Sequence, residues 1–262
     1  MQTGLHITLA AERLFTLWGI PVTNTVLMTW LVVLGLLIAA FFIGRSLTLV
    51  PGRVQSAVEM AYEFVYGYIR DALQSEKLAR RYFPLIATIF LFILTANLFE
   101  FLPIFGPIKF LGGGGLVPLL HVPSADLNTT LALAIISFLV AEVSGILTLG
   151  FLKYGSKFVN FKGGAMGFII GLLEIIGNLA RLISLSFRLF GTIFAGETLL
   201  LVIIFFVPYI APVPFMAFEL FIGLLQAAIF AILTLAYIKL AVDEPHSAGP
   251  KHAHNAHEIV IN

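Results

Sequence analysis

Arg188 is a permanent positive charge inside Ala165–Val207, a stretch whose other charged residues are Glu174, Arg181 and Glu197 alone. Carrying a charge into hydrocarbon costs roughly 2.5 to 3.5 kcal/mol on insertion scales, so such a residue faces protein or water and marks a site of function. A guanidinium stays protonated at any physiological pH, which makes it a fixed barrier to protons and an attractor for an anion. Carboxyl groups in partly desolvated sites do the complementary work of taking up and releasing protons near neutrality. Glu174, Arg181 and Arg188 recur at intervals of seven, and Asn178 and Ser184 fall close to the same face, so a polar stripe runs along an otherwise apolar helix. Glu197 lies nine residues beyond Arg188, about 180° round and about 14 Å along, too far for a simple ion pair.

In the next apolar segment Glu219, Gln226 and Tyr237 follow at intervals of seven and eleven and share a face. An antiparallel register that sets Glu197 beside Glu219 sets Arg188 beside residue 228, within half a turn of Gln226. One pairing then makes a carboxylate layer and a layer of Arg with Gln. Other readings stand beside these. Glu174 and Arg181 also suit a mutual pair or a reach to the interface, Gln226 alone suits a hydrogen bond between helices, and Glu142 suits a packing contact or a wet lining.

The elements that must position these groups follow from composition. The 262 residues are 60% hydrophobic and 11% charged, which is the profile of an integral membrane protein. The absence of Cys excludes disulfides, thiolate metal sites and cysteine nucleophiles. A spanning helix needs about 20 apolar residues, and five segments qualify: 26–44, 84–102, 129–152, 165–207 and 214–241. The fold expected is all-α. The fourth segment has 43 residues without Pro; as one helix it measures about 64 Å against a hydrocarbon thickness of about 30 Å. Gly177 and Gly191 flank its middle without interrupting it, which favours one long, strongly tilted helix over a hairpin. Val207-Pro208-Tyr209-Ile210-Ala211-Pro212-Val213-Pro214 then forms a sharp turn, so the last two segments read as an antiparallel hairpin.

Residues 1–25 lack a basic region followed by an uninterrupted apolar run, so no cleaved signal peptide is expected and this segment lies outside. Eleven Lys and Arg fall in the loops 45–83 and 153–164 and at the C-terminal end, against Arg13 and Lys109 on the other side. The positive-inside rule places the N-terminus outside and the C-terminus inside. Within 45–83, Val54, Ala57, Val58, Ala61, Tyr62, Val65, Tyr68 and Ile69 follow helical spacing and read as an amphipathic surface helix. Gly112–Gly115 reads as a flexible outside loop that follows no strand and opens no helix, so it is no phosphate cradle. His252, His254 and His257 belong to a flexible inside tail, 242–262, read as solvated rather than metal-binding. No metal site and no cofactor are expected.

Ser186-Phe187-Arg188-Leu189-Phe190-Gly191-Thr192-Ile193-Phe194-Ala195-Gly196-Glu197 resembles the signature of subunit a of F-type ATP synthases. Asn97-Leu98-Phe99-Glu100-Phe101-Leu102-Pro103, Pro123-Ser124-Ala125-Asp126-Leu127-Asn128 and Leu225-Gln226-Ala227 resemble its other landmarks, in the family's order, from about residue 55 to 241. The resemblance implies a non-catalytic stator subunit that works with a ring of c subunits, peripheral-stalk b subunits and the rest of the synthase in a lipid bilayer. That bilayer would be a bacterial plasma membrane, and no nucleic acid is involved. It implies that Arg188 faces a ring carboxylate, and that Asn97, Glu100, Ser124, Glu197, Glu219 and Gln226 line the outer proton path, with Thr192 a further candidate on it. Glu174, Asn178, Arg181 and Tyr237 are the candidates for the inner one. Thr192 stands where the family usually has Asn, and Glu219 where some members have His. The rival reading is a proton-coupled secondary transporter or a proton-channel subunit of a respiratory complex. Inverted repeats of broken helices would favour it, and the unbroken fourth segment argues against it.

Overall fold

Hydrocarbon offers backbone groups no partners, so a long apolar run must close its own hydrogen bonds as a helix. In the computed structural model, which describes residues 13–17, 20–100, 109–112, 115–118, 120–150, 154–155 and 164–242, five helices are long and apolar enough to cross a membrane. They are α1 (Asn24–Arg45), α3 (Glu76–Glu100), α4 (Leu127–Leu149), α5 (Gly164–Phe206) and α6 (Pro212–Val242). The amphipathic helix is α2 (Arg53–Leu73), which buries Ile69 and Leu73 and leaves most of its first four turns exposed. The architecture is thus the expected one, with α5 unbroken over 43 residues.

Several boundaries differ from the sequence reading. The third segment does not begin at Pro84: α3 starts at Glu76, where Ser75 Oγ accepts from the backbone N–H of Leu78 at 3.4 Å. Gln74, at φ 51°, breaks the chain between α2 and α3. Pro84 is carried inside the helix, and the Thr88 hydroxyl donates to its carbonyl at 2.8 Å. The end of the third span moves as well: α4 ends at Leu149 rather than residue 152, because Gly150 takes φ 85°. The described residues of the N-terminal segment and around the glycine run include strands. Strands β1 (Arg13–Leu17) and β2 (Ile20–Thr23) pair antiparallel, as do β3 (Lys109–Gly112) and β4 (Gly115–Pro118). Gly112 therefore ends one strand and Gly115 begins its antiparallel partner. The tail from residue 243 and its His residues lie outside the described residues.

Helix α6 is the centre of the bundle and packs against α3, α4 and α5. Its buried face runs through Glu219, Gly223, Gln226, Phe230, Thr234, Ile238 and Ala241. Helix α5 meets it along Leu185, Leu189 and Ile193, which join Phe230, Ala227 and Ala134 in one apolar cluster. A second cluster, with Ile69, Ile86, Leu235 and Ile238, closes the end where α2 lies.

Helix α1 reaches the bundle through a polar joint. Asp126 caps α4, accepting from the backbone N–H of Asn128 at 3.1 Å, and accepts from the Thr25 hydroxyl of α1 at 3.2 Å. Asp126 is buried. Removing it leaves donors of two helices unpaired, so Asp126→Ala should destabilise the chain by about 1 to 3 kcal/mol, read as a lower midpoint of thermal unfolding in detergent. Asp126→Asn, which keeps an acceptor oxygen, should lose less.

Candidate functional site

The buried face of α6 carries a ladder of polar groups where a membrane core should be apolar. Glu219, Gln226 and, from α3, Asn97 are each at most 4% exposed. Glu219 and Gln226 lie two turns apart on one face, with Gly223 between them, and the Asn97 side-chain amide donates to the Gly223 carbonyl at 3.1 Å. A Cβ on Gly223 would come within 3.1 Å of Asn97 Cβ, so the missing side chain is what lets α3 bring an amide this close. Glu219 Oε1, Asn97 Oδ1 and Gln226 Nε2 are buried with no hydrogen-bond partner. Each orphan costs about 1 to 3 kcal/mol unless something satisfies it, and the three lie along one stretch of the α3–α6 contact. A groove of about 360 Å³ between α3 and α6 opens at Asn97.

Helix α5 brings a second carboxyl to the head of this ladder. Gly196 lies against Glu219: a Cβ there would stand 2.8 Å from Glu219 Oε1. Its neighbour Glu197 is partly buried and meets His121 Nδ1 at 3.4 Å through Oε1. His121 was not among the candidates, although it immediately precedes the Val122-Pro123-Ser124 stretch; a lone His carries no spacing signal. Ser124 is buried in the 3-10 turn Pro123–Ala125, beside α5. The Thr192 hydroxyl donates to the carbonyls of Arg188 at 2.8 Å and Leu189 at 3.2 Å. Its one hydrogen is therefore shared within its own helix, leaving the oxygen as an acceptor only. The Glu100 side chain lies outside what is described.

Arg188 stands apart from all of these. It is exposed on the open face of α5, with Ser184 and Phe187, while Leu185 and Leu189 turn inwards. Its guanidinium has no hydrogen bond or ion pair among the described residues. The layer of Arg with Gln foreseen from spacing is accordingly not a direct contact, because Gln226 is buried and Arg188 points away from the bundle.

At the opposite end of the bundle a separate cluster assembles around Glu142. The Asn178 amide donates to Glu142 Oε1 at 3.1 Å, and the Tyr154 hydroxyl donates to Oε2 at 2.8 Å. Arg181 Nη1 donates to Asn178 Oδ1 at 2.8 Å, so its charge reaches the carboxylate through the amide. Tyr237 and Ala241 of α6 complete a cavity of about 20 Å³, room for one water. Glu174, one stripe position earlier, acts electrostatically on Tyr154. Sequence spacing put Asn178, Arg181 and Tyr237 on suitable faces but did not assign Glu142 or Tyr154 to them. Between this cluster and the α6 ladder lie Leu185, Leu189, Ala227 and Phe230, all buried and apolar.

The family model of the ATP synthase A chain matches residues 26–239. An ATP synthase subunit a of Moorella thermoacetica is 34% identical over 226 residues, covering 86% of this chain and 94% of that protein. One from Campylobacter jejuni subsp. jejuni is 40% identical over 220 residues, 82% of this chain and 89% of its own length. One from Campylobacter concisus is 36% identical over 212 residues, 81% and 86% respectively.

The seating of Glu219 on Gly196 is testable without any assumption about role. The chain has no Cys, so a Gly196→Cys, Glu219→Cys double variant should form an intramolecular disulfide on mild oxidation. Phe187→Cys paired with Glu219→Cys should not, since Phe187 is on the open face. Equal yields for the two pairs would contradict the register of α5 on α6.

Proposed function

The chain belongs to the ATP synthase A chain family, and on that premise we propose that it is the non-catalytic, proton-translocating stator subunit of a rotary F-type ATP synthase. It works in an energy-transducing bacterial membrane, with its N-terminus outside and its C-terminus in the cytoplasm, against a ring of c subunits and beside peripheral-stalk b subunits. The observation that carries this reading is Arg188, a charge exposed on an apolar helix face with no partner among the described residues. Such a group in a membrane needs an anion or water to face, and at this exposed position another molecule can bring the anion to it. A ring carboxylate is that anion.

The path then divides. From outside, a proton passes the His121 and Glu197 pair to Glu219 and along the orphan groups of Asn97 and Gln226, where water is oriented by side chains that carry no charge themselves. It neutralises a ring carboxylate, which can then leave Arg188 and cross the lipid uncharged. After the ring has turned, the proton is released to the cytoplasm past Asn178, Arg181 and Tyr237. The apolar layer of Leu185, Leu189 and Phe230 supports two offset half-channels: a continuous water wire would leak protons without turning the ring, and this layer interrupts one.

Two experiments test the reading. Arg188→Gln should leave the complex assembled yet reduce proton-driven ATP synthesis in inverted vesicles by about a hundredfold or more, the scale of losing a group that acts only in the charge-transfer step; near-normal synthesis would sink the proposal. Glu197→Gln and Glu219→Gln should each slow ATP-driven proton pumping by about tenfold or less, because the neighbouring carboxyl or water substitutes in part, and the double variant should be far worse than either. If both single variants and the double pump normally, the outer path does not use these carboxyls.

A further inference from the structure

The Glu142 cluster contains more than the inner half-channel requires as lining. Glu142 is the only charged residue of α4, and both its oxygens are taken by neutral donors, Asn178 and Tyr154. Among the described residues the titratable or charged groups around it are Arg181 and Glu174 on α5, Tyr237 on α6, and Tyr154 itself. Tyr154 is held with unusual care for a residue beyond the end of α4. It is buried, and its ring fills a slot that exists because residue 145 has no side chain. A Cβ on Gly145 would overlap the Tyr154 ring and stand 2.8 Å from the Ala241 carbonyl. The slot fixes the phenol oxygen on Glu142 Oε2.

Resting on the reading above, we propose that Glu142 is the proton-carrying group of the inner half-channel and that Tyr154 is its gate, passing the proton on by hydrogen-bond exchange. A proton released near Arg188 travels by the cavity water to Glu142 Oε2 and makes a neutral carboxylic acid. The new O–H donates to the phenol oxygen as the phenol's own proton leaves to water on the cytoplasmic side. One O–H bond breaks and one forms at the tyrosine, the carboxylate is regenerated, and no charge stays behind. Rotation of the hydroxyl restores its hydrogen bond to Glu142 and resets the gate. Burial and the Glu142 carboxylate push the Tyr154 hydroxyl above its ordinary range, so a free phenolate is not a resting state and the exchange is concerted. In the resting arrangement the phenol covers the carboxylate, and Arg181, acting through Asn178, repels any proton that has not been handed over.

The test uses the intact synthase in inverted vesicles, whose medium bathes the cytoplasmic face, with ATP-driven proton pumping recorded against medium pH. Glu142→Gln and Tyr154→Phe should each lower pumping by about tenfold, within the range that one proton-transfer group contributes. The loss should deepen as the medium becomes alkaline, because protons must then be collected from a dilute supply. Glu142→Asp should recover most of the rate. A loss that is the same at every medium pH, or wild-type pumping in both variants, overturns the proposal. If Glu142→Gln does not assemble with the ring, Tyr154→Phe decides by the same criteria, since its ring still fills the Gly145 slot. Arg188→Gln, run in parallel, separates the two readings: normal pumping there removes the stator assignment itself, whereas a block there with normal Glu142 and Tyr154 variants removes only the gate.

Discussion

A guanidinium cannot be discharged in the hydrocarbon, and this chain places one on the outer face of α5 with no anion among the described residues to meet it. The neighbouring polar groups do not relieve it: Gln226 and Glu219 are buried on α6, and Glu197 is engaged with His121. Had Arg188 pointed inwards, the ladder on α6 would have neutralised it and left the open face apolar. Its outward direction follows from the helical period, because Leu185, Leu189 and Ile193 take the inward positions of α5. Two of them, Leu185 and Leu189, form with Ala227 and Phe230 of α6 the apolar layer that keeps the two polar clusters apart. The position of the charge and the insulation behind it are therefore one consequence of a single helix face.

The two clusters solve opposite physical problems. Near the α5–α6 turn, three buried polar atoms have no partner, which is unfavourable in a dry core and suits a path that admits water. At the other end the hydrogen bonds among Arg181, Asn178, Glu142 and Tyr154 are made, and the space left holds about one water. An unsatisfied set of groups binds whatever hydrogen-bonds to it, whereas a satisfied set must break a bond before it can pass anything on. This asymmetry favours an open access path at one end and a gated one at the other.

Much of this was legible from the sequence, for reasons that can be stated residue by residue. Hydropathy and length locate five spans because a bilayer imposes one thickness on all of them, and the spacing of Glu174, Arg181 and Arg188 places the last on a polar stripe. What the sequence hid depends on local chemistry or on contacts distant in the chain. The start of α3 turned on Ser75 capping a charged turn before Pro84, and hydropathy discounts charged residues. The hairpins β1–β2 and β3–β4 are short pairs with no alternation to betray them. His121 and Glu142 become informative only when Glu197 and Asn178 arrive from α5, 76 and 36 positions away.

Three glycines show what kind of information was missing. Gly196 receives the carboxyl of Glu219, Gly223 receives Asn97, and Gly145 receives the ring of Tyr154. In sequence each reads as a weak point in an apolar helix, since Gly costs about 1 kcal/mol relative to Ala in a helix interior. In the bundle each is the place where a polar side chain of another segment reaches helix backbone. Lipid gives helices little hydrophobic reason to associate, so close approach at small residues supplies much of the attraction. Here those approaches coincide with the polar groups of both clusters. The contacts that hold α3, α4, α5 and α6 together are thus the same contacts that aim their polar side chains, and a methyl group at any of the three would disturb the helix packing and the polar clusters at once.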